Sequence, residues 1–294
     1  MKEMLDMMKN NKGFIAALDQ SGGSSAKTLS LYGIGEDKYN TEDEMFSLIH
    51  EMRKRVITSK SFTNEHIIGT ILFEKTMNSK IDDKYTADYL WENKRIISFL
   101  KIDKGLSELN NGVKLMKDIP LLKESLYNAL KKHIFGTKMR SVIYEANKEG
   151  IKEVVKQQFD FAKIICKNGL VPIIEPEVDI NSKDKKMCEE ILKEEIINHL
   201  SNWDSDDKIM FKFTIPTIPN FYYDLYNYDC VIKLVALSGG YSCDLACSLL
   251  ALNNKMIASF SRALLEKLNV NQTEEEFDKV LDETIKKIYD ASST

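Results

Sequence analysis

At 294 residues, with 43% hydrophobic and 29% charged residues, the chain has the composition of a globular protein with a substantial core, enough for one large domain or two ordinary ones. Its net charge of −4, from 41 basic and 45 acidic residues with no long basic stripe, argues against nucleic acid or an anionic membrane as partner. The N-terminal stretch lacks the apolar segment of a signal peptide, and no run approaches the length of a membrane span. Five cysteines without a CxxC pair suit a reducing cytosol, so a cytoplasmic location is expected. The four histidines (50, 66, 133 and 199) are scattered and supply a zinc site poorly, so neither a metal nor a cofactor is expected.

Residues 1–10 read as an amphipathic lead-in helix. The apolar run Gly13 to Leu18 ends in Asp19-Gln20-Ser21-Gly22-Gly23-Ser24. Thr41 and Glu44 form a capping box, with Met45, Ile49, Met52 and Val56 continuing at helical spacing. Strand candidates follow at His66–Phe73 and Ile96–Leu100. Asp118 and Pro120 are expected to start a helix that buries Leu122, Leu126 and Leu130. A fourth strand is predicted over Phe135–Ile143. The helix after it, Ile151–Lys167, stops at Gly169. Val171–Glu177 is the fifth strand, and Ser182 is expected to cap a charged helix burying Met187, Ile191, Ile196 and Leu200. The sixth strand contains Phe211–Pro216, the seventh spans Val231–Leu237 with Ser242 capping the helix beyond, and the eighth is Met256–Phe260. Thr273 and Glu276 make a second capping box for a final helix carrying Phe277, Val280, Leu281, Ile285 and Ile288.

Eight short apolar strands, most followed by an amphipathic helix, read as parallel βα units rather than a sandwich. Lys101, Lys138, Glu175 and Lys212 stand at equal intervals, as repeated strand–loop–helix units would place them. The fold class expected is α/β, a single (β/α)8 TIM barrel with N-terminal helical additions, and residues 1–294 are expected to form one domain. Such barrels run to ~250 residues before additions.

Lys212 lies inside an apolar strand, where an ammonium is costly unless paired or neutralised. Desolvation favours the neutral amine, a nucleophile toward carbonyls, so a Schiff-base role is one reading. A half-exposed strand face with the ammonium in water is the other. In a barrel the C-terminal strand ends carry function, and here they present Asp19, Glu74, Lys101, Asp103, Lys138, Arg140, Glu175, Glu177, Lys212, Ser238 and Arg262. Ser21-Gly22-Gly23 and Ser238-Gly239-Gly240 each follow a strand, where glycines let backbone N–H groups approach an anion; each is also an ordinary tight turn. Neither is a nucleotide loop. Two of them on one rim, with Lys101 and Arg262, suggest a ligand with a phosphate at each end.

Read together, AALDQSGGS (Ala16–Ser24), LKIDKG (Leu100–Gly105), KMR (Lys138–Arg140), IIEPE (Ile173–Glu177), FKFTIP (Phe211–Pro216), LSGGYS (Leu237–Ser242) and ASFSRAL (Ala258–Leu264) closely resemble the class I, Schiff-base fructose-1,6-bisphosphate aldolases in their shorter form. The resemblance implies reversible cleavage of a sugar phosphate, fructose 1,6-bisphosphate, to dihydroxyacetone phosphate and glyceraldehyde 3-phosphate, without metal or cofactor, in glycolysis or gluconeogenesis. It implies Lys212 as the imine lysine, and Glu175, with Glu177 beside it, as the acid that protonates the departing carbinolamine hydroxyl. Asp19 corresponds to the group near the hydroxyl deprotonated in cleavage, and Lys138 to a lysine keeping positive potential beside the imine. Ser238, Gly239 and Arg262, with Gly240 completing the triplet, resemble the site for the phosphate nearer the imine; Ser21, Ser24 and Lys101 resemble the far one. Asp103 and Arg140 are read as electrostatic support. Gln20 stands where longer members have glutamate, and their C-terminal tail with its tyrosine is absent, leaving open whether Tyr289 replaces it. A homo-oligomer is compatible with the resemblance. Another Schiff-base barrel lyase or transaldolase is the alternative within enzymes, and a barrel kept as a scaffold is the alternative outside them.

Overall fold

The β-branched and aromatic runs settle into eight parallel strands, and the two-residue strand Val113–Lys114 adds antiparallel to Val142–Ile143. In the computed structural model, which describes residues 1–21 and 23–294, the eight are β1 (Phe14–Leu18), β2 (Ile67–Leu72), β3 (Ile97–Lys101), β4 (Gly136–Ile143), β5 (Val171–Val178), β6 (Ile209–Thr214), β7 (Val231–Leu237) and β8 (Met256–Ala258). Each pairs with its neighbours in chain order. The ring nearly closes: just past β8, the Phe260 carbonyl accepts a hydrogen bond from the Ala17 N–H at 3.1 Å. Because both faces are covered, most strand residues are buried and the sequence shows little polar alternation.

Around the ring run α2 (Gly23–Leu31), α3 (Glu42–Thr58), α4 (Glu74–Asn78), α5 (Thr86–Lys94), α6 (Leu122–Lys131), α7 (Lys148–Lys167), α8 (Lys185–Leu200), α9 (Cys243–Leu250), α10 (Arg262–Leu265) and α11 (Glu274–Ala291). The first helix, α1 (Lys2–Asn10), comes before β1 and packs elsewhere. Its Met4 and Met8 join the inward-facing cluster of Ile15, Ala17, Phe99, Ile173, Met210, Val235 and Ile257, so it plugs the N-terminal end of the barrel. Both capping boxes form, at Thr41 with Glu44 and at Thr273 with Glu276. Ser242 caps α9, and Gly169, at φ +79°, follows α7. No helix among the described residues is long and apolar enough to cross a membrane.

Several local expectations are corrected. Ser182 does not cap α8, which starts at Lys185 after Asp184; its hydroxyl instead meets the Cys188 thiol. Met187 is 55% exposed, and Cys188 and Leu192 take the inward positions beside Ile191, Ile196 and Leu200. Reading the stronger hydrophobe of the Met187-Cys188 pair misplaced that one position, while Ile191, Ile196 and Leu200 are buried as expected. Similarly, α6 begins at Leu122, so Ala129 turns inward and Leu130 lies at the surface. The eighth strand stops at Ala258, before Phe260. The tight hairpin Lys80–Ile81 to Lys84–Tyr85 carried its signal in Asp82-Asp83, both at positive φ as a primed two-residue turn requires.

Candidate active site

Side chains alternate along a strand, so the inward face continues upward in steps of two. Ala17 is followed on that face by Asp19, Phe99 by Lys101, Gly136 by Lys138 and Arg140, Ile173 by Glu175 and Glu177, Met210 by Lys212, and Ile257 by Ser259. The inner wall thus changes within one step from packed apolar groups to charge. These residues line a cavity of about 460 Å³ at the C-terminal end of the barrel, together with Ser21, Ser24, Ser238, Gly239, Ser261 and Arg262. Gly240 sits behind its edge, and a side chain built there would approach Arg262 Nη2 at 3.6 Å, which places the guanidinium over the Ser-Gly-Gly turn. Gly239 and Gly240 have φ of +60° and +116°, conformations that favour glycine. Gly22 lies outside the described residues.

Four buried groups form the centre. Lys212 Nζ lies 3.0 Å from Glu175 Oε1, Lys138 Nζ lies 2.6 Å from Glu175 Oε2, and Lys138 donates to Asp19 Oδ2 at 3.0 Å. Two ammoniums thus alternate with two carboxylates. Burial would push both carboxyls up, but it is outweighed at Asp19 by Lys138, Lys212 and Lys101, and at Glu175 by Lys138, Lys212 and Arg140. Both end below their ordinary values, Asp19 far below. Lys138 shows the converse: burial disfavours its charge, yet Asp19 and Glu175 raise it well above an ordinary lysine. The positive potential expected next to Lys212 is present, but the Glu175 carboxylate stands between the two amines.

Around this centre the remaining expected residues are themselves paired. Lys101 donates to Asp103 Oδ1 at 2.6 Å and to the Asp103 carbonyl at 2.8 Å. Arg140 Nε donates to Glu177 Oε2 at 2.6 Å, so Glu177 faces Arg140 rather than Lys212. Ser24 folds its hydroxyl back onto Ser21, donating to that carbonyl at 2.7 Å. Glu74 falls away from the rim and pairs with Lys104. Tyr289 packs edge-on against His66, just before β2, and so stands at the end of the barrel opposite Lys212.

One element of the site was not anticipated. Arg53, on α3 and 1% exposed, donates from Nη2 to the Gln20 carbonyl (2.6 Å) and Gln20 Oε1 (3.1 Å), and from Nη1 to Thr76 Oγ1 (2.6 Å). Gln20 Nε2 in turn donates to Ser261 Oγ at 2.6 Å. This ties the end of β1, with Asp19, to the segment carrying Arg262 across the seam where the barrel closes. The guanidinium makes no ion pair among the described residues, and burial lowers its pKa to about 10 despite the nearby charge of Asp19. In sequence Arg53 looks like another surface cation of a charged helix; only its position on the Met45–Met52–Val56 side hints at burial.

Size alone would have pointed elsewhere. A cleft of about 800 Å³ between the end of α3 and the start of α11 is larger, but it is an open groove whose Ser59, Ser61 and Asp278 are bonded to one another.

Comparison with known proteins agrees with this geometry. Residues 2–218 match the family model for class-I fructose-bisphosphate aldolase, described as glycolytic. The chain is 59% identical over 290 residues to the class 1 fructose-bisphosphate aldolase of Clostridium acetobutylicum, covering 99% of this chain and 98% of that protein. Its fold superposes with a TM-score of 0.79, at 20% identity and over 99% of this chain and 93% of the other, on a fructose-bisphosphate aldolase from Plasmodium falciparum solved with TRAP and a small-molecule inhibitor. Family match and near-full-length identity together establish that the chain belongs to the class I fructose-bisphosphate aldolases.

Proposed function

We propose that the rim cleaves fructose 1,6-bisphosphate reversibly through an imine on Lys212, and that residues 1–294 act in the cytoplasm as one barrel domain. The observation carrying this reading is the 3.0 Å contact between Lys212 Nζ and Glu175 Oε1 inside a buried, charge-balanced cluster. The name of the C. acetobutylicum relative supports the choice of substrate.

An amine must be neutral to add to a ketone, and Glu175 is the carboxylate within reach of the Lys212 proton. Once it holds that proton, Glu175 is the acid that protonates the carbinolamine hydroxyl, so that water leaves and a protonated imine remains. Lys138, between two carboxylates that favour its charge, keeps its proton and serves as a fixed positive group. Asp19, on the first strand and ionised, takes the proton of the substrate hydroxyl beyond the scissile bond. The electron pair of that carbon–carbon bond then moves into the imine, giving an enamine and releasing the aldehyde. Protonation of the enamine carbon and hydrolysis of the imine return Lys212 and the ketone product.

The six cations of the rim (Lys27, Lys101, Lys138, Arg140, Lys212 and Arg262) outnumber its four carboxylates (Asp19, Asp103, Glu175 and Glu177), which suits a polyanionic substrate. Arg262 with Ser238, Gly239 and Gly240 holds the phosphate nearer the imine; Lys101 with Ser21 and Ser24 holds the far one, with Lys101 exchanging part of its bonding to Asp103. Two phosphates anchored at opposite sides stretch the ketose over Lys212 and convert binding energy into alignment. Dihydroxyacetone phosphate with borohydride is expected to inactivate the protein and modify Lys212, while EDTA leaves cleavage intact. Modification mainly at Lys138 or Lys101 would overturn the assignment.

A further inference from the structure

A second lysine lies in the barrel wall, and the cleavage reaction does not use it. Lys233 is on β7, 8% exposed, near the N-terminal end of the strand and therefore at the opposite mouth from Lys212. Its Nζ donates to one protein group, the Lys9 carbonyl at 3.1 Å, on the last turn of α1. No carboxylate among the described residues pairs with it. Burial without a compensating charge lowers its pKa to about 8, which leaves a substantial fraction of free amine near neutrality.

Lys233 also lines a cavity of about 520 Å³, shared with Lys9, Lys12 and Lys255 and with a single acidic side chain, Asp229. A buried amine opening onto a cationic pocket combines a nucleophile with the means to gather an anion near it.

We propose that Lys233 is a second imine-forming lysine, taking small phosphorylated aldehydes whose phosphate is held by Lys9, Lys12 and Lys255. The restriction to aldehydes follows from what the pocket lacks. At the rim Glu175 stands beside the amine to shuttle protons, as a ketone requires. Beside Lys233 no carboxylate among the described residues pairs with the amine, Asp229 lining the pocket without an ion pair to it, which leaves the more electrophilic and less hindered carbonyl as the one able to react. The free amine adds to the aldehyde carbon to give a carbinolamine, which loses water to give the imine. Hydrolysis reverses it, so the adduct is reversible. One product of this family's cleavage, glyceraldehyde 3-phosphate, is of this class.

The full chain is treated with glyceraldehyde 3-phosphate and cyanoborohydride, then digested and mapped. Apart from any label on Lys212, Lys233 should be modified first, at least about tenfold faster than Lys9, Lys12 or Lys255, because burial holds more of it as the free amine. Inorganic phosphate should protect Lys233, and unphosphorylated glyceraldehyde should modify it several-fold more slowly. Lys233→Arg, which keeps the charge, should lose this label and retain the cleavage rate. If it folds poorly, the protection experiment on the unaltered protein still decides. Modification spread evenly over the exposed lysines would overturn the nucleophile, and equal rates for the two aldehydes would overturn the phosphate pocket. Label on Lys212 in the same digest reports on the rim separately, so the two readings fail independently.

Discussion

The two mouths of this barrel are built from the same eight strands and differ in how they treat charge: one is packed with apolar groups around the buried amine of Lys233, the other is ringed by paired ammoniums and carboxylates. At the N-terminal mouth the inward side chains are Ala17, Phe99, Ile173, Met210 and Ile257, and α1 seals them with Met4 and Met8. At the C-terminal mouth, one step of two residues further along the same strands, they are Asp19, Lys101, Glu175, Lys212 and Ser259. Burial is nearly complete at both ends. In one, each apolar side chain removed from water contributes ~1.5–3 kcal/mol to stability. In the other, desolvation works against every charge and is offset only because ammoniums and carboxylates alternate. Stability resides in one mouth and strain against water in the other, with the rigid apolar layer fixing the charged one.

The sharpest way to break this comparison is to empty the charged mouth. Lys212→Met should abolish cleavage and remove all trapping of the ketone phosphate, while the protein stays folded. Retained turnover in a rate assay would show that chemistry sits elsewhere.

Next come the two carboxylates, whose positions on opposite sides of Lys138 suggest separate duties. Glu175→Gln should slow imine formation itself by ~10²–10⁴. Asp19→Asn should form the imine with bisphosphate yet cleave it slower by a similar factor. Rapid-quench trapping distinguishes them, and normal imine formation in the Glu175 variant would reverse the division. Both carboxyls also make stability fall in acid. Their folded pKa values lie below the ordinary 3.8 and 4.5, so their stabilising contribution is present above those values and is lost as pH falls through the depressed ones. The variants should therefore show a weaker loss of stability below about pH 4.5 than the parent, read by denaturant titration at several pH values.

A substitution at the apolar mouth should do the opposite. Met8→Ala is expected to cost ~2–5 kcal/mol of stability, the range for a large buried side chain cut to alanine, with kcat nearly unchanged below the unfolding transition. Met8 Cε fits against Gly69, where an added Cβ would come within 3.3 Å, so little slack exists to absorb the loss. A large fall in kcat would mean that the plug participates in turnover.

Arg53 lies behind the charged mouth, at the seam where the first strand meets the segment after the eighth. Arg53→Lys keeps the charge and cannot hold Gln20 and Thr76 together. It should raise KM for bisphosphate by roughly 10-fold, the equivalent of one ~1–2 kcal/mol hydrogen-bond loss, with a smaller fall in kcat. A fall in kcat alone would place Arg53 in the proton transfers instead.

The last effect concerns Lys233 and leaves turnover untouched. Its folded pKa of about 8 lies below the ordinary 10.5, so the unfolded chain binds the extra proton between those values and stability rises with pH there. Lys233→Met should flatten that rise, by up to ~3 kcal/mol, in an alkaline unfolding series.

Much of this was legible in the chain. Apolar runs closed by charged residues, proline or Ser-Gly turns marked all eight strands, because a strand buried on both faces has no polar alternation to obscure it. The charged inner rim was legible for a related reason: Lys101, Lys138, Glu175 and Lys212 each follow an inward apolar residue by two or close to it, and strand periodicity carries them onto one surface. Helix phase was less secure. Cys188 against Met187 and Ala129 against Leu130 were decided by where α8 and α6 begin, and weak caps at Asp184 and Leu121 leave that start unmarked in the sequence.

What the sequence determined by itself is the alternation of elements and the kinds of group at the strand ends, since both follow from local periodicity. Tertiary structure alone decided the pairings. Glu175 bridges Lys138 and Lys212, Asp103 holds Lys101, Glu177 holds Arg140, and Arg53 reaches Gln20 and through it Ser261. Those distances depend on the tilt and closure of the ring, which bring residues far apart in the chain within hydrogen-bond reach. Charges in a low-dielectric interior respond to a few ångströms of separation, and no local pattern encodes that.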